Sequence, residues 1–146
     1  VNWIARLFEP QTTREPVTEL DLHRAAAALL LEVARTDGRI DDREKQSLFK
    51  AVRQRWQLDS DELEEIVAEL HERVEGATDL YEFTSPLREH WGPEPRARLI
   101  EDMWAVAAAD GKVDVYEEHL IRRVADLLYV SHGDYIRAKL AATGEQ

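Results

Sequence analysis

The chain contains no cysteine at all. That excludes disulfides, cysteine-ligated zinc, iron–sulfur clusters and thiol nucleophiles. Glycine and proline are sparse, with 6 and 5 residues, and there is a single methionine. Long apolar runs are also missing. The longest is Ala25-Ala26-Ala27-Ala28-Leu29-Leu30-Leu31 between Arg24 and Glu32, far short of the roughly 20 residues a membrane span needs. No signal-peptide pattern is visible after Val1, and the expected location is cytoplasmic. Basic side chains are outnumbered 19 to 30, giving a net charge of -11. Such a surface repels phosphate backbones, so nucleic acid is not the expected partner. It suits cations, basic partners or simple solubility.

What is present is helical periodicity. The 146 residues, 44% of them apolar, are enough for one domain with its own core. Apolar residues recur at helical spacing over Glu19–Thr36, Asp42–Trp56, Asp61–Val74, Asp79–Trp91, Glu94–Ala109, Val115–Val130 and Ser131–Ala142. In the first of these, Leu20, Ala27, Leu31 and Ala34 share a stripe. Pro86 should kink or split the segment 79–91. No stretch alternates with a period of two. The fold expected is therefore all-α, a bundle of about seven helices over residues 19–146. Residues 1–18 form an amphipathic tip and linker, with Trp3, Ile4, Leu7 and Phe8 ahead of Pro10 and Pro16. The tip either docks on the domain or makes a peripheral membrane contact through residues 3–8. So short a helix with one arginine has little hold on lipid, which favours docking.

Two segments repeat one pattern, D-G-x-[IV]-D-x-x-E, as Asp37-Gly38-Arg39-Ile40-Asp41 with Glu44 and as Asp110-Gly111-Lys112-Val113-Asp114 with Glu117. From Asp37 to Asp110 is an offset of 73 residues, which also pairs Leu48 with Ile121 and Trp56 with Tyr129. Each pattern sits between two helical segments, so the architecture reads as two internally repeated helix–hinge–helix units. Glycine suits a helix end that needs φ > 0. Asp41 with Glu44, and Asp114 with Glu117, have the spacing of an Asp capping box at the start of the next helix. Capping explains those four acids without any further role. It explains Asp37 and Asp110 less well, because a carboxylate is mildly unfavourable at the negative end of a helix dipole.

Cation binding is the alternative reading. The pattern matches positions five to twelve of a calcium-binding EF-hand loop. The early ligand positions fail, with Val33 and Val106 at position one and Arg35 and Ala108 at position three. A self-contained EF-hand is therefore not expected, and the cation reading is a site shared between the hinges. Six carboxylates would suit a hard divalent ion with oxygen ligands.

At these residues the chain resembles the TerB-like family, the tellurite-resistance B proteins and their relatives, which include the N-terminal domain of DjlA-type co-chaperones. The resemblance covers roughly Asp21 to Leu140. It implies a helical bundle and a non-enzymatic binding or scaffold role, in stress response or at a membrane, with a protein as partner. It also implies that Asp37, Asp41, Glu44, Asp110, Asp114 and Glu117 hold a divalent cation, whether calcium, magnesium or manganese. There is no J-domain signature, so co-chaperone activity does not carry over.

Other chemistry is poorly supported. The five histidines fall in different segments, and His71-Glu72 lacks a second histidine four residues on, since Glu75 stands there. No nucleophile elbow, P-loop or dinucleotide fingerprint occurs. A hydrolase using hinge carboxylates would need a pocket and an open coordination position, and the sequence shows neither. Arg96 and Arg98 read as a solvated face, and the tryptophans read as core.

Overall fold

The computed structural model describes residues 17–34, 42–72, 80–109 and 112–144. Seven α-helices run through them: α1 Glu19–Ala34, α2 Asp42–Trp56, α3 Ser60–Glu72, α4 Tyr81–His90, α5 Pro93–Ala107, α6 Val115–Leu127 and α7 His132–Thr143. The described residues form no strand. The tip at residues 1–8, Gly38 and Gly111 lie outside the described residues.

The bundle is built around α1, which touches α2, α3, α4, α5 and α6. The long apolar run is the reason. Ala25 to Leu31 are all at most 1% exposed, so this stretch is buried on every side rather than along one stripe. Four consecutive alanines there let neighbouring helices approach closely. Leu20, expected on the inner stripe, is instead 41% exposed at the first turn. It lies before the helix enters the core. The outer helices bury single stripes: Leu48, Val52 and Trp56 in α2, Leu63, Ile66 and Leu70 in α3, and Leu99, Ile100, Met103, Trp104 and Ala107 in α5.

The segment with Pro86 is one helix, not two. Phe83, Thr84, Pro86 and Leu87 form its buried face, so packing offsets the hydrogen bond that proline cannot donate. Among the described residues, no helix is long and apolar enough to cross a membrane.

Helix ends are set by local chemistry. Thr18 and Asp21 form a reciprocal cap on α1, with Asp21 N–H donating to Thr18 Oγ1 at 3.1 Å and Thr18 N–H to an Asp21 carboxylate oxygen at 3.0 Å. Ser131 caps α7 through its hydroxyl, which accepts from Asp134 N–H. At their other ends, α2 and α6 each stop on a left-handed residue that is not glycine, Gln57 and Tyr129, both at φ 58°. Val130 N–H then donates to Ala125 O and Tyr129 N–H to Asp126 O, the paired bonds of a Schellman ending. Gln57 N–H makes the single bond to Arg53 O of the simpler left-handed cap.

Arg96 departs from the sequence reading. It is half-buried in the first turn of α5 rather than solvated. Its guanidinium donates to three carbonyls: Arg88 O at 2.7 Å, Trp91 O at 2.8 Å and Leu128 O at 3.3 Å. One cation thus closes the C-terminal ends of both α4 and α6, where helix carbonyls lack intrahelical donors. Arg98 is exposed, as expected.

Candidate functional site

Of the two hinges that the sequence assigns to the site, the one followed by described residues joins α5 to α6. Helix α5 ends at Ala107, and Ala108 N–H still reaches back to Trp104 O. Beyond it, Val113 is half-buried and packs against the core. Asp114 follows in extended conformation, at φ −85° and ψ 169°, as the N-cap of α6. Its Oδ1 accepts from Glu117 N–H at 2.8 Å, and its own N–H donates to Glu117 Oε1 at 3.1 Å. The reciprocal cap read from D-x-x-E is therefore present.

The same geometry occurs where there is no glycine hinge. Asp59 caps α3, its Oδ1 accepting from Glu62 N–H at 2.8 Å, and its N–H donating to Glu62 Oε1 at 3.2 Å. Matching distances at Asp59–Glu62 and Asp114–Glu117 show the D-x-x-E pair serving helix initiation at both of these places. Capping thus accounts for Asp114 and Glu117.

Of the six expected ligands, Asp114 and Glu117 are brought together. Asp37, Asp41 and Asp110 lie outside the described residues, as does the side chain of Glu44 within α2. Among the described residues, no group of three or more histidine or carboxylate side chains could hold a metal ion. The carboxylate chemistry of Asp114 and Glu117 suits a hard cation. A complete set of donors would have to include acids outside the described residues.

The sequence did not reveal the cavity beside the hinge. A pocket of about 190 Å³ lies between α1, α2 and α5, with Leu30, Leu48, Ala51 and Ala105 in its lining and Glu117 reaching it from α6. Asp102 of α5 also lines it. Arg55 of α2 approaches Asp102 Oδ1 at 2.8 Å, and Asp102 Oδ2 is buried with no hydrogen-bond partner among the described residues. Burial pushes the Asp102 carboxyl above its ordinary value, with Arg55 pulling the other way. The available signal was a carboxylate on the flank of α5 next to the apolar stripe, a position that periodicity alone does not separate from solvent.

These elements define a class: an all-α bundle whose helices meet at an acidic, capped hinge. The chain belongs to the family described as tellurite resistance protein TerB, whose model matches residues 23–140. No curated protein and no solved structure matches it.

Proposed function

We propose that this protein is a non-enzymatic TerB-like binding or scaffold domain whose paired acidic hinges hold a divalent cation and whose partner is a protein. The carrying observation is in the sequence: Asp37–Gly38 and Asp110–Gly111 repeat one acidic pattern, each following a helix that ends at Ala34 or Ala107, within a TerB-family chain. A helix dipole disfavours acids there, and a bound cation would reverse that preference. Asp114 and Glu117 support the reading by presenting carboxylates on the far side of the same hinge. Tellurite-related stress response in the cytoplasm, with or without membrane contact through residues 3–8, is the setting that suits such a module.

One observation favours a second reading. The Asp59–Glu62 cap reproduces the Asp114–Glu117 geometry away from any hinge. In a metal-free protein–protein interaction domain, the hinge acids would act only as caps. Calorimetric titration of metal-stripped protein with calcium, magnesium, manganese and zinc separates the two. Saturable binding by the wild type that Asp37→Asn/Asp110→Asn loses supports the cation. No binding by the wild type leaves the caps alone.

A further inference from the structure

We propose that the pocket between α1, α2 and α5 receives the chain's own N-terminal tip, with the Trp3 indole as its anchor. The pocket holds about 190 Å³, somewhat more than the apolar cavities of about 150 Å³ that take up benzene. One aromatic side chain larger than a single ring fits that space. Leucine, alanine and valine make up most of the described lining, which suits the apolar body of such a ring. Ala51 and Ala105 are exposed, which offers a way in between α2 and α5.

A polar atom in the lining selects tryptophan. Asp102 Oδ1 accepts from Arg55, whereas Asp102 Oδ2 is buried without a hydrogen-bond partner. A buried acceptor left unmet is costly, and a neutral donor suffices because Arg55 already pairs with the carboxylate. Indole offers an apolar body and a single N–H, which needs an acceptor when buried. The other aromatic residues of the chain, apart from Phe8, lie within the described segments and none of them lines the pocket. Phe8 has no N–H to give. Ile4, Leu7 and Phe8, which accompany Trp3 at helical spacing, cover the exposed alanines at the mouth. Reach allows it. Leu30 and Ala34, the α1 residues of the lining, lie 11 and 15 residues past Glu19, or roughly 17 to 23 Å along the helix. Residues 9–18, which join the tip to α1, can span roughly 30 Å.

The test is NMR of the full chain, metal-stripped and kept in chelator, with the Trp3 indole N–H assigned by its loss in Trp3→Phe. Nuclear Overhauser contacts from the Trp3 ring to Leu30 and Leu48 are expected. The indole N–H should exchange with solvent at least about tenfold more slowly than a free indole. Ala105→Phe, at an exposed position, should block the mouth and abolish both signals while the helical circular dichroism is kept. A second check needs no blocked pocket. A spin label on Asn2→Cys, the only cysteine in that variant, should broaden the amides of Ala51 and Ala105. A Trp3 indole that exchanges freely and shows no contact with Leu30 or Leu48 would overturn the proposal. So would contacts that survive Ala105→Phe, broadening centred elsewhere, or a Trp3 signal that changes only when phosphatidylglycerol vesicles are added. Since no metal is present, none of these results bears on the cation reading.

Discussion

Helices α1 and α5 carry the same motif at their C-terminal ends and meet different surroundings. At the offset that aligns the hinges, Arg98, Glu101 and Asp102 of α5 correspond to Ala25, Ala28 and Leu29 of α1. The three α1 residues are fully buried. In α5, Arg98 is exposed, and Glu101 and Asp102 are only partly covered. Helix α1 is enclosed by α2 to α6, whereas α5 keeps one flank open beside its packing on α7. The D-G-x-[IV]-D-x-x-E pattern recurs in the sequence, and helix ends pose the same local backbone needs wherever they occur. Side-chain polarity follows from the neighbours, and those differ. A repeated hinge is thus weak grounds for assuming that both hinges do the same work.

The sharpest way to break this comparison is to exchange residues between the helices. Ala28→Glu gives α1 the residue that α5 carries at 101. It buries an unpaired carboxylate at a fully enclosed position, and the expected loss is about 4 kcal/mol or more. Urea unfolding measures it, and outright failure to fold agrees with it. The reciprocal Glu101→Ala should stay within about 0.5 kcal/mol. A mild effect of Ala28→Glu would show that α1 is not central.

The next largest effect belongs to Arg96, whose counterpart in α1 is His23. Arg96→Met strands three carbonyls at two helix ends, for an expected cost of about 3 kcal/mol. Arg96→Lys should recover less than half, because an ammonium on a flexible stem cannot reproduce the planar fork. His23, whose ring centroid lies 6.4 Å from that of Trp56, makes no such junction, and His23→Ala should cost only about 1 kcal/mol. Equal losses at the two positions, by thermal or urea unfolding, would remove Arg96 as the clasp between α4 and α6.

Periodicity made the helices legible, and D-x-x-E made the α6 cap legible, because both signals are local. Enclosure was not. The run Ala25–Leu31 announced strong burial, but a run of that kind does not say how many helices surround it. Arg96 escaped for a related reason. An arginine in a first turn looks solvated until α6 brings the Leu128 carbonyl within reach. Asp102, which lines the pocket, pairs with Arg55 from 47 residues away in sequence, and no spacing rule connects them. Gln57 and Tyr129 hid for yet another reason, since left-handed helix ends are ordinarily marked by glycine or asparagine.

A smaller effect tests whether the hinge cap differs from the ordinary one. Asp59→Ala and Asp114→Ala should each lose about 1 kcal/mol in chelator. If the hinge holds a cation, adding calcium, magnesium or manganese stabilises the wild type, and the penalty of Asp114→Ala grows while that of Asp59→Ala is unchanged. Identical penalties with and without each metal, in differential scanning calorimetry, would reduce Asp114 to a cap.

The smallest effect at neutral pH is at Tyr135, where α7 packs on α5 against Trp104, with ring centroids 6.0 Å apart. The Tyr135 hydroxyl is buried with no hydrogen-bond partner among the described residues. Burial raises its pKa, and Arg122 opposes the rise. An unfolded tyrosine ionises near an ordinary value of about 10, while the folded one keeps its proton to higher pH. Between those two values the native state holds more protons than the unfolded state, so stability falls as pH rises. At pH 7 both states are protonated. Tyr135→Phe then removes only an unsatisfied hydroxyl, so the two proteins should agree within about 0.5 kcal/mol. Above pH 10 the curves should separate, the wild type losing stability more steeply than the variant. Parallel curves through pH 11 would mean that the phenol is hydrated in the folded protein and that α7 packs less tightly on α5 than the Trp104 contact implies.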